Sequence, residues 1–180
     1  MSAIDKKLRL KLFLIFIPVA YFSCFFHELG HWIIGEILGY DMFLTLNGSG
    51  IKNGQQFVEN THYLYHLFGG VCFTIFLTLI FWGVIEKYKV IYVYPFVLLN
   101  FIHRLFPQII KFEYQDEAKI STLLGIGKYT IAIIVLISLL LITWRSSRVL
   151  KINYKDNLLF AFVSIICLLL VVVTDELLFK

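Results

Sequence analysis

The sequence predicts an all-α membrane protein of about five transmembrane helices, with a short hairpin or loop after the first. Of its 180 residues, 59% are hydrophobic and only 16% are charged, and the mean hydropathy is +0.83. This composition is typical of membrane proteins and excludes an ordinary soluble enzyme. Five apolar runs each approach or exceed the roughly 20 residues that a helix needs to cross a bilayer. We therefore expect residues 1–180 to form a single integral-membrane domain.

The first apolar run covers residues 10–38 and follows a basic N-terminal segment. No small-residue cleavage site follows it, so we interpret the run as a retained first span. The stretch 23–40, SCFFHELGHWIIGEILGY, begins in its second half, and His27, Glu28 and His31 in this stretch form an HExxH pattern. These three ionisable groups lie inside an otherwise apolar stretch.

The HExxH pattern predicts a zinc site. In a helix, His27 and His31 leave the same face about 6 Å apart and can bind one metal ion. Glu28 then lies beside the metal, where it can take a proton from an activated water and pass it to a leaving amine. The alternative is that the two histidines only hydrogen-bond to neighbouring spans. Ionisable groups at membrane depth are costly, which favours the functional interpretation.

Residues 41–61 are rich in Asn, Gly and Ser and contain short β-prone pieces at 42–46 and 56–58. They predict a loop or a small hairpin. In a membrane protease such a segment can pair with an extended substrate strand, since cleavage needs an unwound peptide. The alternative is a plain connecting loop.

The second and third spans add polar groups. Residues 62–85 predict the second span, in which His62 and His66 are four residues apart. They are either a second ligand pair or interfacial and substrate-contacting residues. Residues 90–110 predict a broken third span, in which Asn100, His103 and Arg104 share one helix face. We expect that face, together with His66, to line the site or to contact substrate.

Residues 111–119, KFEYQDEAK, form the acid-rich segment that follows the third span. A catalytic zinc ion takes three protein ligands and leaves one position open. Glu113, Asp116 and Glu117 are therefore the main candidates for the third ligand, and His66 is a further alternative.

Residues 120–144 and 158–174 predict the fourth and fifth spans, which places the two termini on opposite sides of the membrane. With the N-terminus inside, ten of the sixteen basic residues lie in inner segments. They are Lys6, Lys7, Arg9, Lys11, Lys87, Lys89, Arg145, Arg148, Lys151 and Lys155. The positive-inside rule thus predicts a cytoplasmic N-terminus, with the protein in the cell membrane. Because the basic residues flank apolar runs, we expect no nucleic-acid partner.

The order of these features resembles the site-2 protease family of intramembrane zinc metalloproteases. HELGH lies in the first span, Gly69-Gly70 near the start of the next, and Asn100 in a broken span followed by an Asp segment. The resemblance covers residues 23–124, and HELGH is its specific part. It implies a zinc endopeptidase that hydrolyses peptide bonds in or near transmembrane segments of membrane proteins. We expect a minimal core of that family, without a PDZ or CBS domain.

By position, the resemblance implies that one zinc ion is bound by His27, His31 and Asp116, with Glu28 as the general base. The sequence departs from the family at the third ligand. The family often has Asp-Gly in an Asn-Pro-rich helix, whereas Asp116 is followed by Glu117 in a charged stretch.

Two other classes of function fit the composition. A catalytically silent protein of the same fold would bind a partner or a membrane segment, but it has no need for a base such as Glu28 beside the metal. A transporter or channel would place polar residues in several spans, whereas the second, fourth and fifth spans contain few polar residues.

Overall fold

The computed structural model of the chain describes residues 4–179, and within this range it contains six α-helices. Their bounds are Lys6–Ile37 (α1), Asn60–Tyr88 (α2), Tyr94–Lys111 (α3), Asp116–Leu123 (α4), Thr130–Val149 (α5) and Tyr154–Phe179 (α6). All but α4 belong to stretches that are long and apolar enough to cross a membrane. The predicted fold class, an all-α membrane protein with five transmembrane helices, is confirmed.

One face of α1 is buried along the whole helix, while residues such as Leu10 and Leu14 on the opposite face are exposed. The buried residues recur every three or four positions, the spacing of one helix face. They are Leu12, Phe16, Val19, Ala20, Ser23, Cys24, His27, Gly30, His31 and Gly35. The two histidines therefore continue the stripe that packs inside the bundle, and they point away from the surrounding lipid.

The fourth predicted span, 120–144, was placed too early. Residues 116–123 form α4, a short separate helix, and the spanning helix α5 begins only at Thr130. Gly125 and Gly127 lie between them with φ angles of +67° and +87°. Glycine adopts this left-handed region without steric penalty, so these two residues end one helix and turn the chain into the next.

The predicted hairpin is present between α1 and α2. Strands Met42–Leu44 (β1) and Ser49–Ile51 (β2) are antiparallel, with Phe43 opposite Gly50. The backbone N–H of Thr45 donates to the carbonyl oxygen of Gly48 at 2.8 Å and closes a tight turn. The return strand therefore starts at Ser49, and the β-prone piece 56–58 is not part of the hairpin.

The hairpin is attached to two helices by hydrogen bonds. The backbone N–H groups of Leu46 and Asn47 donate to the Asp175 carboxylate at 2.8 and 3.2 Å, near the end of α6. The N–H of Met42 donates to the Glu36 carboxylate at 3.0 Å, near the end of α1. The hairpin is thus fixed at the same end of the bundle as the ends of α1 and α6.

The helices pack around two buried apolar clusters. Phe16, Tyr94 and Phe160 lie in the cluster formed mainly by α1, α3 and α6. Ile120 and Leu139 lie in the cluster formed by α2, α4 and α5. Helix α1 also packs against α2, which joins the two groups of helices. In lipid such contacts act through close packing rather than through the hydrophobic effect.

Candidate metal centre

His27 and His31 face each other on the inner side of α1. Their Nε2 atoms are 3.1 Å apart, and both side chains are buried. The predicted spacing therefore brings two imidazole nitrogens to one point inside the bundle.

The remaining ring nitrogens fix the tautomers of both histidines. Nδ1 of His31 lies 2.7 Å from the backbone oxygen of His66, which can only accept a hydrogen bond. Nδ1 of His27 lies 3.0 Å from Oγ1 of Thr74, and this hydroxyl already donates to the carbonyl oxygen of Gly70 at 3.0 Å. Each Nδ1 is therefore the donor, and in the neutral rings each Nε2 carries a lone pair.

Asp116, the first residue of α4, completes a group of three. Its Oδ2 atom is 3.2 Å from Nε2 of His27 and 3.4 Å from Nε2 of His31. Ligands about 2.0 Å from a tetrahedral zinc ion are separated from one another by about 3.3 Å. The three separations in this group match that spacing.

The chemistry of the group also suits a divalent cation. Two imidazole lone pairs and one carboxylate oxygen converge without a donor hydrogen between them, so a cation at their centre would satisfy all three acceptors. Two nitrogen ligands and one oxygen ligand are a common set for catalytic zinc, with a fourth position left for water or substrate. His27, His31 and Asp116 therefore fit a zinc ion.

The ionisation of Asp116 agrees with a ligand role. Nη1 of Arg104 lies 3.2 Å from Oδ2 of Asp116, and a guanidinium this close stabilises the ionised form of a buried carboxyl group. Asp116 is therefore an anion in the interior of the protein.

The two other candidate carboxylates lie elsewhere. Glu113 is exposed, and its Oε1 atom is 3.6 Å from Nζ of Lys128. Glu117 is completely buried, with its Oε1 atom 3.5 Å from Nη1 of Arg104. Of the three acidic residues in this segment, the structure brings only Asp116 to the two histidines.

The second histidine pair does not form a separate metal group. Nδ1 of His62 is 2.9 Å from the hydroxyl of Tyr40. Nδ1 of His66 donates to the backbone oxygen of His31 at 3.1 Å, and the ring centroids of His66 and His31 are 4.8 Å apart. His66 is thus a neighbour that fixes the backbone around a candidate ligand.

A cavity of about 1100 Å³ opens beside the three candidate ligands. Glu28 lines it, and the hydroxyl of Ser49 on β2 donates to Oε2 of Glu28 at 3.1 Å. The cavity is also lined by His66, by residues 55–57 after the hairpin, and by apolar residues of α6. The predicted base therefore lies in a space that is large enough for a peptide segment.

The polar face of α3 is buried as expected, but its members have different positions. His103 and Arg104 line the cavity, and the ring of His103 lies 5.4 Å from that of His27. Asn100 does not line the cavity. Its Nδ2 group donates to Oγ1 of Thr78 at 2.9 Å, which links α3 to α2.

Glycines allow α2 to approach the histidines. A Cβ atom on Gly30 would lie 2.5 Å from the backbone oxygen of Gly69, and a Cβ on Gly69 would collide with the oxygen of Gly30. A Cβ on Gly70 would overlap Nε2 of His31. Side chains at these three positions are therefore incompatible with the observed contact between α1 and α2.

Two polar residues at the site were not singled out from the sequence. Thr74 accepts the hydrogen bond of His27, and Ser49 donates to Glu28. An isolated hydroxyl in an apolar span is a weak signal for Thr74. Ser49 carried no signal, because its contact depends on how the hairpin folds back over α1.

No protein-family model, curated protein or solved structure matches the chain.

Proposed function

We propose that the chain is an intramembrane zinc endopeptidase of the site-2 protease family, which hydrolyses peptide bonds in or near transmembrane segments of membrane proteins. The observation that carries this proposal is the convergence of His27 Nε2, His31 Nε2 and Asp116 Oδ2 within 3.4 Å of one another. Glu28 lines the adjoining cavity, inside a bundle of apolar helices. This combination of groups is suited to metal-assisted hydrolysis of an amide.

Each protein group has a role in such a reaction. Zinc, when bound, supplies a Lewis acid that acidifies water and polarises the scissile carbonyl. Glu28 takes a proton from the attacking water as the water oxygen bonds to the carbonyl carbon. The carbon–nitrogen bond then breaks, and Glu28 gives its proton to the leaving amine. The hydroxyl of Ser49 holds Oε2 of Glu28 and leaves Oε1 available to the water.

The cavity supports a membrane-protein substrate. Polar residues of the hairpin region line one part of it, including Asn47, Gln55 and Gln56, and apolar residues of α6 line another, including Leu168, Leu169 and Val172. Within residues 4–179 the sheet has only two strands, so one edge of β2 has no strand partner. That edge offers main-chain hydrogen bonds to an extended peptide, as predicted for this segment.

The proposal includes a topology and a location. We place the protein in the cell membrane with its N-terminus in the cytoplasm, on the basis of the ten inner basic residues. The hairpin between α1 and α2, and α4 between α3 and α5, then lie on the outer side together with the metal centre.

The test of the proposal is the substitution Glu28→Gln. We expect purified wild-type protein in lipid vesicles to contain one zinc ion and to cleave a fluorogenic peptide that carries one apolar transmembrane segment. Glu28→Gln should keep its zinc but lose cleavage by about 100-fold or more, because the change removes the base and retains the ligands. Zinc content is measured by elemental analysis and cleavage by mass spectrometry of the products.

Glu59→Gln is the matched control, since Glu59 is exposed and, within residues 4–179, its side chain contacts Thr61 and His62 outside the candidate site. It should behave as the wild type. Full activity of Glu28→Gln would refute the enzyme proposal. Zinc binding without cleavage of any transmembrane peptide by the wild type would favour the catalytically silent protein of the same fold.

A further inference from the structure

Helices α3 and α4 carry a buried ion triad next to the metal centre. Arg104 is 4% exposed and Glu117 is 0% exposed. Nη1 of Arg104 lies 3.2 Å from Oδ2 of Asp116 and 3.5 Å from Oε1 of Glu117. The oxygen of Asp116 that contacts Arg104 is the same oxygen that faces both histidines.

The triad is poorly suited to a purely stabilising role. Burying charged groups carries a large desolvation penalty, which is offset only when geometry and hydrogen bonding are complete. In this triad, Nε of Arg104 and Oε2 of Glu117 are buried without a hydrogen-bond partner. Apolar residues of similar size would fill the space without that penalty, so the charges indicate a role at the neighbouring site.

The charges of the triad also match those of the candidate site. A lone guanidinium close to Asp116 would repel a divalent cation bound there. Glu117 cancels the positive charge of Arg104, and it does so from a fully buried position. With Asp116 and Glu28 as anions and one zinc ion bound, the formal charges of these groups sum to zero. A neutral cluster is the least costly arrangement inside a membrane protein.

We propose that Arg104 is a positioning residue that directs Oδ2 of Asp116 toward the metal, and that Glu117 is the counter-ion that holds Arg104 in place. This inference rests on the proposed function, because it assumes that Asp116 is a zinc ligand. Partners that orient a metal ligand typically change metal affinity by about 10- to 100-fold when they are replaced.

The test measures Zn²⁺ affinity by competition with a chromogenic chelator. Arg104→Gln should weaken Zn²⁺ binding by about 10- to 100-fold, and Arg104→Lys should restore part of the loss because it keeps the charge but not the planar guanidinium. Glu117→Gln should weaken binding by about 10-fold. The exposed pair Arg145–Glu86 provides the matched control, and Arg145→Gln should bind Zn²⁺ as the wild type does.

Two further readouts separate positioning from a structural role. The visible absorption of Co²⁺-substituted protein should change in Arg104→Gln, since it reports the geometry of the ligands. The double variant Arg104→Gln/Glu117→Gln should bind Zn²⁺ no more weakly than Arg104→Gln alone, because Glu117 acts only through Arg104. If Arg104→Gln fails to fold, Arg104→Lys and Glu117→Gln still test whether the Arg104–Glu117 pair changes the Zn²⁺ affinity.

The outcomes are distinguishable. A wild type that does not bind Zn²⁺ would refute the proposed function itself. A wild type that binds Zn²⁺ with the same affinity as Arg104→Gln and Glu117→Gln would overturn only the inference, as would strictly additive effects of the two substitutions. Complete loss of Zn²⁺ in Glu117→Gln, equal to the loss in His27→Ala, would also overturn it by making Glu117 a ligand.

Discussion

Gly70→Ala is expected to weaken zinc binding strongly while leaving the helices intact. A Cβ atom at this position would lie 2.5 Å from Cε1 of His27 and even closer to Nε2 of His31, whereas ordinary contacts are 3.4–4 Å. The imidazole of His27 would have to move by about 1 Å to relieve the overlap. Zinc–ligand distances tolerate deviations of only about 0.2 Å. We therefore expect zinc affinity to fall by about 100-fold or more.

The same change should not lower the helix content, although it disturbs the packing of α1 against α2. Alanine is favoured over glycine in a helix by up to about 1 kcal/mol, so α2 itself is not weakened by the change. Gly83→Ala is the matched control, because Gly83 lies in the same helix and a Cβ there meets nothing within 4 Å. It should retain wild-type zinc affinity.

The assay is chelator competition for Zn²⁺, with circular dichroism as the measure of helix content. Wild-type zinc affinity in Gly70→Ala would refute the reasoning, because it would mean that the metal is not held by the imidazoles against which Gly70 packs. Equal loss of zinc in Gly83→Ala would also refute it, since that result would point to α2 as a whole rather than to one contact.

Two other predictions concern the third ligand and the orientation of the chain. Asp116→Asn should lose zinc and activity, because two imidazoles alone hold the ion poorly. Glu113→Gln should retain both, because Glu113 is exposed and pairs with Lys128. The zinc content of the two variants tests this prediction, and the reverse pattern would make Glu113 the ligand. Reporter fusions should place the N-terminus in the cytoplasm and the C-terminus outside. The inverted result would contradict the topology but not the metal centre, whose parts would change sides together.

The sequence predicted most of the fold because each span is an apolar run of sufficient length. The predicted start of the fourth span was wrong for a local reason. Residues 120–127 carry no charged side chain and therefore merged with the following run, and the pattern alone did not show that Gly125 and Gly127 interrupt it with positive φ angles. Hydropathy locates apolar segments, whereas helix ends depend on backbone conformations that only a few residues determine.

The histidine pair and its approach to Asp116 were also predictable, but for different reasons. His27 and His31 are brought together by helix periodicity, which the sequence displays directly. Asp116 was one of three acidic residues in a short segment, and the choice among them depends on the start of α4 at that residue. The contacts of Thr74, Ser49 and Glu117 depend on long-range packing, for which a single sequence gives no periodic signal.

The meeting of α1 and α2 at Gly30 and Gly69 has a consequence for how this protein tolerates change. The contact joins two backbones, so the spacing between the histidines and α2 does not depend on the size of side chains elsewhere. On the opposite faces, residues such as Leu14 and Phe76 are more than 60% exposed. These outer positions are therefore free to vary with the lipid composition or thickness of the host membrane, while the interior geometry of the same two helices stays constant.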